Sequence, residues 1–237
     1  MGSWKFLVGG SLALGLLGVL VLAAAWFWRA RLYRTLFHPV VTARQSSFFR
    51  EFPVRAGDVV FLGDSLTSQA RWGELFPGVA ARNRGISGDT TADVRARLRE
   101  ITSAAPAQIF LMIGTNDLGL GLSEEVVLQN IDAILEEIRI ESPRTEVFVQ
   151  TLLPRSRGYA ARIRSVNEGL IALADRRGLR WIDVGGAMSS AEGALRADLT
   201  GDELHLLGPG YEIWKTTLAP WVGPSPRPLA GKTLEEQ

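Results

Sequence analysis

At Val59 to Leu62 the chain reads Val-Val-Phe-Leu, and comparable apolar runs recur at Val79 to Ala81, Ile109 to Ile113, Val147 to Thr151 and Leu179 to Ile182. Short runs closed by turn residues are what strands buried on both faces require. The stretches between them follow a longer period. In "TADVRARLREI", Val94, Leu98 and Ile101 share one helical face, and Thr90 and Asp93 are spaced as a capping box. From Glu124 to Glu141 the same is true of Val127, Ile131, Ile134, Leu135 and Ile138, and helices over 161–177 and 210–221 complete the set. Strands alternating with helices predict an α/β domain over residues 57–222, a parallel sheet covered by helices. The Pro-rich, polar end, 223–237, reads as a flexible tail.

One segment follows neither period. Phe6 to Trp28 carries no charge over 23 positions, which as a helix spans roughly 34 Å, enough to cross a bilayer. Trp26, Phe27 and Trp28 close it and Arg29, Arg31 and Arg34 follow, the aromatic and basic edge of a membrane interface. Residues 1–30 are therefore expected to form one N-terminal transmembrane helix, with a juxtamembrane segment over 31–56. The alternative is a cleaved signal peptide, since Lys5 precedes the apolar stretch and Ala23-Ala24-Ala25 resembles a cleavage site. The cationic flank favours a cytoplasmic domain, whereas a signal-like segment favours an exported one.

Composition narrows the chemistry. The 237 residues, 46% hydrophobic and 22% charged, suffice for one well-buried domain plus an appendage. A net charge of +1 offers no basic excess for a nucleic-acid partner. The absence of cysteine excludes disulfides, thiolate metal sites and a cysteine nucleophile. Any imidazole chemistry must use His38 or His205.

In an open α/β sheet, ligands bind beyond the carboxyl ends of the strands. The residues following the runs are Gly63-Asp64-Ser65, Asn83-Arg84-Gly85, Gly114-Thr115-Asn116-Asp117 and "LLPRSRG". Taken singly, each has an ordinary reading: Ser65 as a helix cap, Gly85 as a turn, Asn116-Asp117 as a self-capping loop. Together they supply an acyl-transfer site. Ser65 is the hydroxyl. Asp202 and His205, three apart, can hold an imidazole in the tautomer that accepts from serine. The N–H groups of Ser65 and Gly85 and the amide of Asn116 form an oxyanion pocket. Asp64 is left as a supporting turn residue. Arg155, Arg157, Arg162 and Arg164 read mostly as a solvated helix face, and Trp72, Trp181 and Trp214 as core or rim aromatics. His38, distant from every one of these blocks in sequence, receives no catalytic role.

The "GDSL" at 63–66, the glycine of "NRGISGDTT" at 85, the "GTND" at 114–117 and the "DELH" at 202–205 resemble, in order and spacing, the four blocks of the SGNH (GDSL) hydrolases. The detail looks most like the branch of platelet-activating factor acetylhydrolase catalytic subunits and related bacterial esterases. Carried over by position, the resemblance implies Ser65 as nucleophile, Gly85 and Asn116 as oxyanion donors, His205 as general base and Asp202 as its partner. It also implies a three-layer flavodoxin-like sandwich with a five-stranded parallel sheet, no metal and no organic cofactor, and it hints at a homodimer. The expected function is a membrane-tethered serine esterase acting on a small-molecule acyl ester, lipid or short-acyl. The alternatives are a carbohydrate or peptidoglycan O-acetylesterase and a non-catalytic binding module. The soluble subunits of that branch lack the N-terminal apolar segment.

Overall fold

The computed structural model describes residues 32–223, together with Gly18. Residues 32–36 are helical, and after a turn at Phe37 a helix α1 runs His38–Glu51. The domain then alternates strands with helices: β1 (Val59–Gly63), short helices α2 (Ser65–Gln69) and α3 (Trp72–Leu75), then β2 (Ala81–Gly85). Next come α4 (Thr91–Ala96), α5 (Arg99–Thr102), β3 (Gln108–Met112), α6 (Thr115–Gly119) and α7 (Glu124–Glu141). The chain closes with β4 (Glu146–Gln150), α8 (Ala160–Arg177), β5 (Arg180–Ile182) and α9 (Gly208–Leu218).

All five strands are parallel, in the order β2-β1-β3-β4-β5. The chain thus leaves β1 toward β2 on one side and returns to β3 on the other, which opens a crevice at the carboxyl ends of β1 and β3. Gly63 is level with Gly85 and with Met112, so the loops after three strands start from one line. The Phe61–Phe110 and Phe110–Phe148 register pairs put three rings on one face of the sheet. They stack at 5.2 and 4.5 Å between centroids. Trp72 lies flat on Phe61 at 3.8 Å, and Trp214 meets Trp72 edge-on at 5.2 Å. Both indoles are buried, and their N–H groups donate to Thr67 O and Gln150 Oε1, so neither leaves a desolvated donor unmet.

Two sequence expectations need correction. The second strand is Ala81–Gly85, "ARNRG", not the apolar run Val79 to Ala81. It is an edge strand paired only with β1, and its polar side chains find tertiary partners. Arg82 pairs with Asp58, Asn83 donates to Ser68 O and Ala70 O, and Arg84 lies under the Phe49 ring of α1. The helix expected over "TADVRARLREI" breaks into α4 and α5 at Arg97, whose side chain turns inward. Val94, Leu98 and Ile101 are buried as expected, and the Thr90–Asp93 capping box is present.

Candidate active site

Ser65 opens α2 immediately beyond β1. Gly63 permits this turn, because a Cβ there would lie 2.3 Å from Met112 O and 2.4 Å from Thr67 Oγ1. Asp64 caps α2 by accepting from the Leu66 N–H at 3.0 Å. Burial pushes the Asp64 carboxyl up to about 7 against that hydrogen bond, with Asp89 and Asp117 adding to the rise. As expected, Asp64 serves the turn.

The histidine comes from the other end of the chain. An antiparallel bridge between Thr200 and Leu206 closes the loop that carries Asp202 and His205. Within it, Asp202 Oδ1 accepts from the His205 and Leu204 N–H groups at 2.8 and 3.1 Å, and Glu203 takes a left-handed φ of 61°. Helix α9 fixes this loop against the helix that Ser65 opens: Trp214 enters the core, and the Tyr211 hydroxyl donates to Leu66 O at 3.0 Å. His205 Nε2 thereby lies 3.0 Å from Ser65 Oγ, and Nδ1 lies 2.7 Å from Asp202 Oδ2. Partial burial acts to raise the Asp202 pKa, but the hydrogen bonds from the His205 ring and the backbone outweigh it and hold the carboxyl at about 2. The arrangement can move a proton from serine to imidazole while a fixed anion orients the ring.

The donors expected to face the oxyanion divide. The Asn116 amide donates to Asp89 O at 2.9 Å, which leaves its second N–H for a ligand. Gly85 does not fill the expected role: its N–H donates to Asn83 Oδ1 at 2.9 Å. Gly85 is a glycine for another reason, since a Cβ would lie 2.3 Å from Ser68 N and 2.7 Å from Asp64 O, where β2 meets α2. Three residues on, Gly88 has a φ of +87°, and its N–H donates to no group among the described residues. It adjoins Asp89, the residue Asn116 grips. The sequence signal was present in "SGDTT", where a glycine and an aspartate precede the Thr90 cap of α4.

Three loops are braced together. Asp117, buried, accepts from the Thr91 N–H and hydroxyl at 3.0 and 2.5 Å as well as from its own backbone. Arg97 donates to Asp89 Oδ2 at 2.8 Å and to the carbonyls of Gly63 and Arg84 at 3.2 and 2.8 Å. Arg155 and Arg162 are half-buried and hold the loop after β3 through Thr115 O and Leu118 O at 3.1 Å each. Arg157 and Arg164 are exposed, and Trp181 is a rim residue. His38, far away in sequence, lies 3.0 Å from Asp89 Oδ1, beside the site. Asp89 and Asp93 converge on it, but Arg97 and Arg34 already neutralise those carboxylates, so the group is an ion-pair network.

A serine, an imidazole and a carboxylate meet at the switch point of a parallel α/β sheet, and the likeness to known proteins makes the chain a carboxylic ester hydrolase. The chain belongs to the GDSL-like lipase/acylhydrolase family, whose model matches residues 61–213, and so to the SGNH hydrolases. The platelet-activating factor acetylhydrolase IB subunit alpha2 of Homo sapiens is 34% identical over 164 residues, covering 65% of this chain and 71% of that protein. Subunit alpha1 of Bos taurus is 33% identical over 164 residues, with 65% and 70% covered. Among solved structures, a GDSL-like lipase from Bacteroides thetaiotaomicron shares the fold with a TM-score of 0.66 at 22% identity, covering 75% of this chain and 95% of its own.

Proposed function

We propose that the protein is a membrane-tethered serine esterase in which Ser65 is the nucleophile, His205 the general base and Asp202 the group that orients it. The observation that carries this is the unbroken relay of 3.0 Å from Ser65 Oγ to His205 Nε2 and 2.7 Å from Nδ1 to Asp202 Oδ2. His205 takes the Ser65 proton as Oγ bonds to the acyl carbon. The resulting oxyanion is met by the N–H of Ser65, free of an intrahelical acceptor as the first residue of α2, by the Asn116 amide and by Gly88 in place of Gly85. Collapse breaks the ester C–O bond, and the leaving alkoxide receives the proton from His205. Water, deprotonated in turn by His205, releases the acid from the acyl-serine. With α2 only five residues long, local N–H groups rather than a helix dipole stabilise the charge.

His205 and Asp202 keep 33% and 55% of their side-chain surface, so the alcohol part of the ester meets an open rim. Tethering is supported by the uncharged Phe6–Trp28 stretch, which except for Gly18 lies outside the described residues. Among the described residues no helix is long and apolar enough to cross a membrane. The test is turnover of an acyl-ester chain-length series by the full chain in detergent. Ser65→Ala is expected to lose about 10⁴-fold or more in kcat, together with labelling by a fluorophosphonate. Hydrolysis that survives this change would refute the assignment.

A further inference from the structure

The segment before the hydrolase domain touches the site directly. Tyr33, Arg34 and His38 all reach the Ser87–Asp93 loop, which runs beside the Asn116 amide. The Tyr33 ring packs so closely on Gly88 that a Cβ there would lie 2.7 Å from Cε1, and His38 Cδ2 would be 3.0 Å away. Arg34 donates to Gly88 O at 3.3 Å and spans both Asp93 oxygens, one at 2.7 Å. His38, buried, meets Asp89 Oδ1 at 3.0 Å, while Thr42 Oγ1 lies 3.4 Å from the same ring nitrogen. Asp89 is the hub of this arrangement. Its side chain joins His38 to Arg97, which reaches Gly63 O at the end of β1, and its carbonyl accepts from Asn116. A continuous set of contacts therefore runs from the N-terminal helical segment to both sides of the nucleophile.

We propose that Arg34 and His38 are positioning residues for ester hydrolysis, holding the Ser87–Asp93 loop so that the Gly88 N–H and the Asn116 amide converge on the oxyanion. The proposal rests on the catalytic reading above. Oxyanion donors act by being fixed before charge develops, so a loop free to move by a fraction of an ångström loses part of their effect. Elements within the domain, Arg97 and the capping box of α4, fix one side of this loop. The other side, at Gly88 O and Asp89 Oδ1, is fixed by residues that lie ahead of the domain in sequence. The segment that leads out of the apolar stretch is thus part of the active site as well as a connection to it.

The experiment compares full-length Arg34→Ala, Arg34→Lys, His38→Ala and His38→Gln with the parent chain, and with Arg139→Ala on α7 as a distant control. Rates are normalised to the folded fraction by fluorophosphonate titration of Ser65. Arg34→Ala and His38→Ala are expected to lower kcat about ten-fold or more with KM unchanged, a part of the 10²–10³-fold cost of losing a whole oxyanion donor. Arg34→Lys and His38→Gln, which keep a donor, should recover part of that loss, and Arg139→Ala should match the parent. Arg34 is partly exposed, so its variants keep the test open should His38→Ala fail to fold. A parental kcat in every alanine variant that folds would overturn the positioning role alone. If the parent hydrolyses no ester, the catalytic reading falls and this inference with it.

Discussion

Asp64 and Asp202 are both carboxylates of the site, and their surroundings drive them apart. Asp202 receives four hydrogen bonds around its carboxylate, whereas Asp64 is desolvated with one backbone donor. For Asp64 the folded pKa, about 7, lies above the unfolded value of 3.8. Below the lower value both states hold the proton and nothing is lost. As pH rises from about 4 to 7 the unfolded chain ionises first, so stability falls, and above that the penalty is constant. Asp64→Asn keeps an acceptor for Leu66 N–H and removes the titration. Its melting temperature relative to the parent should therefore rise by several degrees between pH 4 and pH 8, and a constant difference would reject the account. For Asp202 the opposite holds: its contribution is present above pH 4 and wanes toward 2. Asp202→Asn should reduce kcat by about 10²–10⁴-fold through loss of the tautomer-setting acceptor, with KM little changed.

Among the elements, β1, β3 and β4 were readable because their residues are buried on both faces, and burial of that kind leaves a continuous apolar run. Strand β2 was not, since an edge strand needs only one partner and its Arg, Asn and Arg side chains are satisfied by residues far away in sequence. The same limit explains Gly85 and His38. Nothing local reveals that Gly85 is wedged against α2, or that His38 meets a carboxylate 51 positions on. Ser65 and Asn116 stand out because each lies in the first turn of a helix that follows a strand, and Asp202 and His205 because they are three apart in a single loop. The wedge has a cost that can be measured. Gly85→Ala places a methyl against the fixed backbone of Ser68 and Asp64 and should destabilise by about 2 kcal/mol or more in urea unfolding. A neutral effect would mean that β2 can slide away from α2.

At the scale of the whole molecule, exposed apolar side chains among the described residues cluster in the segment ahead of β1. Leu32, Leu36, Phe37, Val40, Phe48 and Phe52 are all more than half exposed, directly after the uncharged N-terminal stretch. Six such residues on so short a stretch of a water-soluble surface are unusual, and are consistent with a chain held at a bilayer. Deleting residues 1–28 should move the protein from the membrane pellet to the detergent-free supernatant while keeping Arg34 and His38 in place, and hydrolysis should persist. A full-length chain recovered in the detergent-free supernatant would refute the tether. A fragment starting near residue 45 would discard both side chains along with residues 1–28, so a loss of its activity would say nothing about the bilayer.

The perpendicular pair of Trp72 and Trp214 offers an optical handle. Trp72 is pinned by its N–H to Thr67 O, in the helix that Ser65 opens, and Trp214 lies in the helix that follows His205. Two indoles held rigidly at 87° to one another give near-ultraviolet circular dichroism, which disappears when fixed packing loosens. Because one ring is tied to the Ser65 helix and the other to the helix after His205, the part of that band lost in Trp214→Phe tracks the separation of Ser65 from His205. The protein carries its own dichroic gauge of whether its active site is assembled.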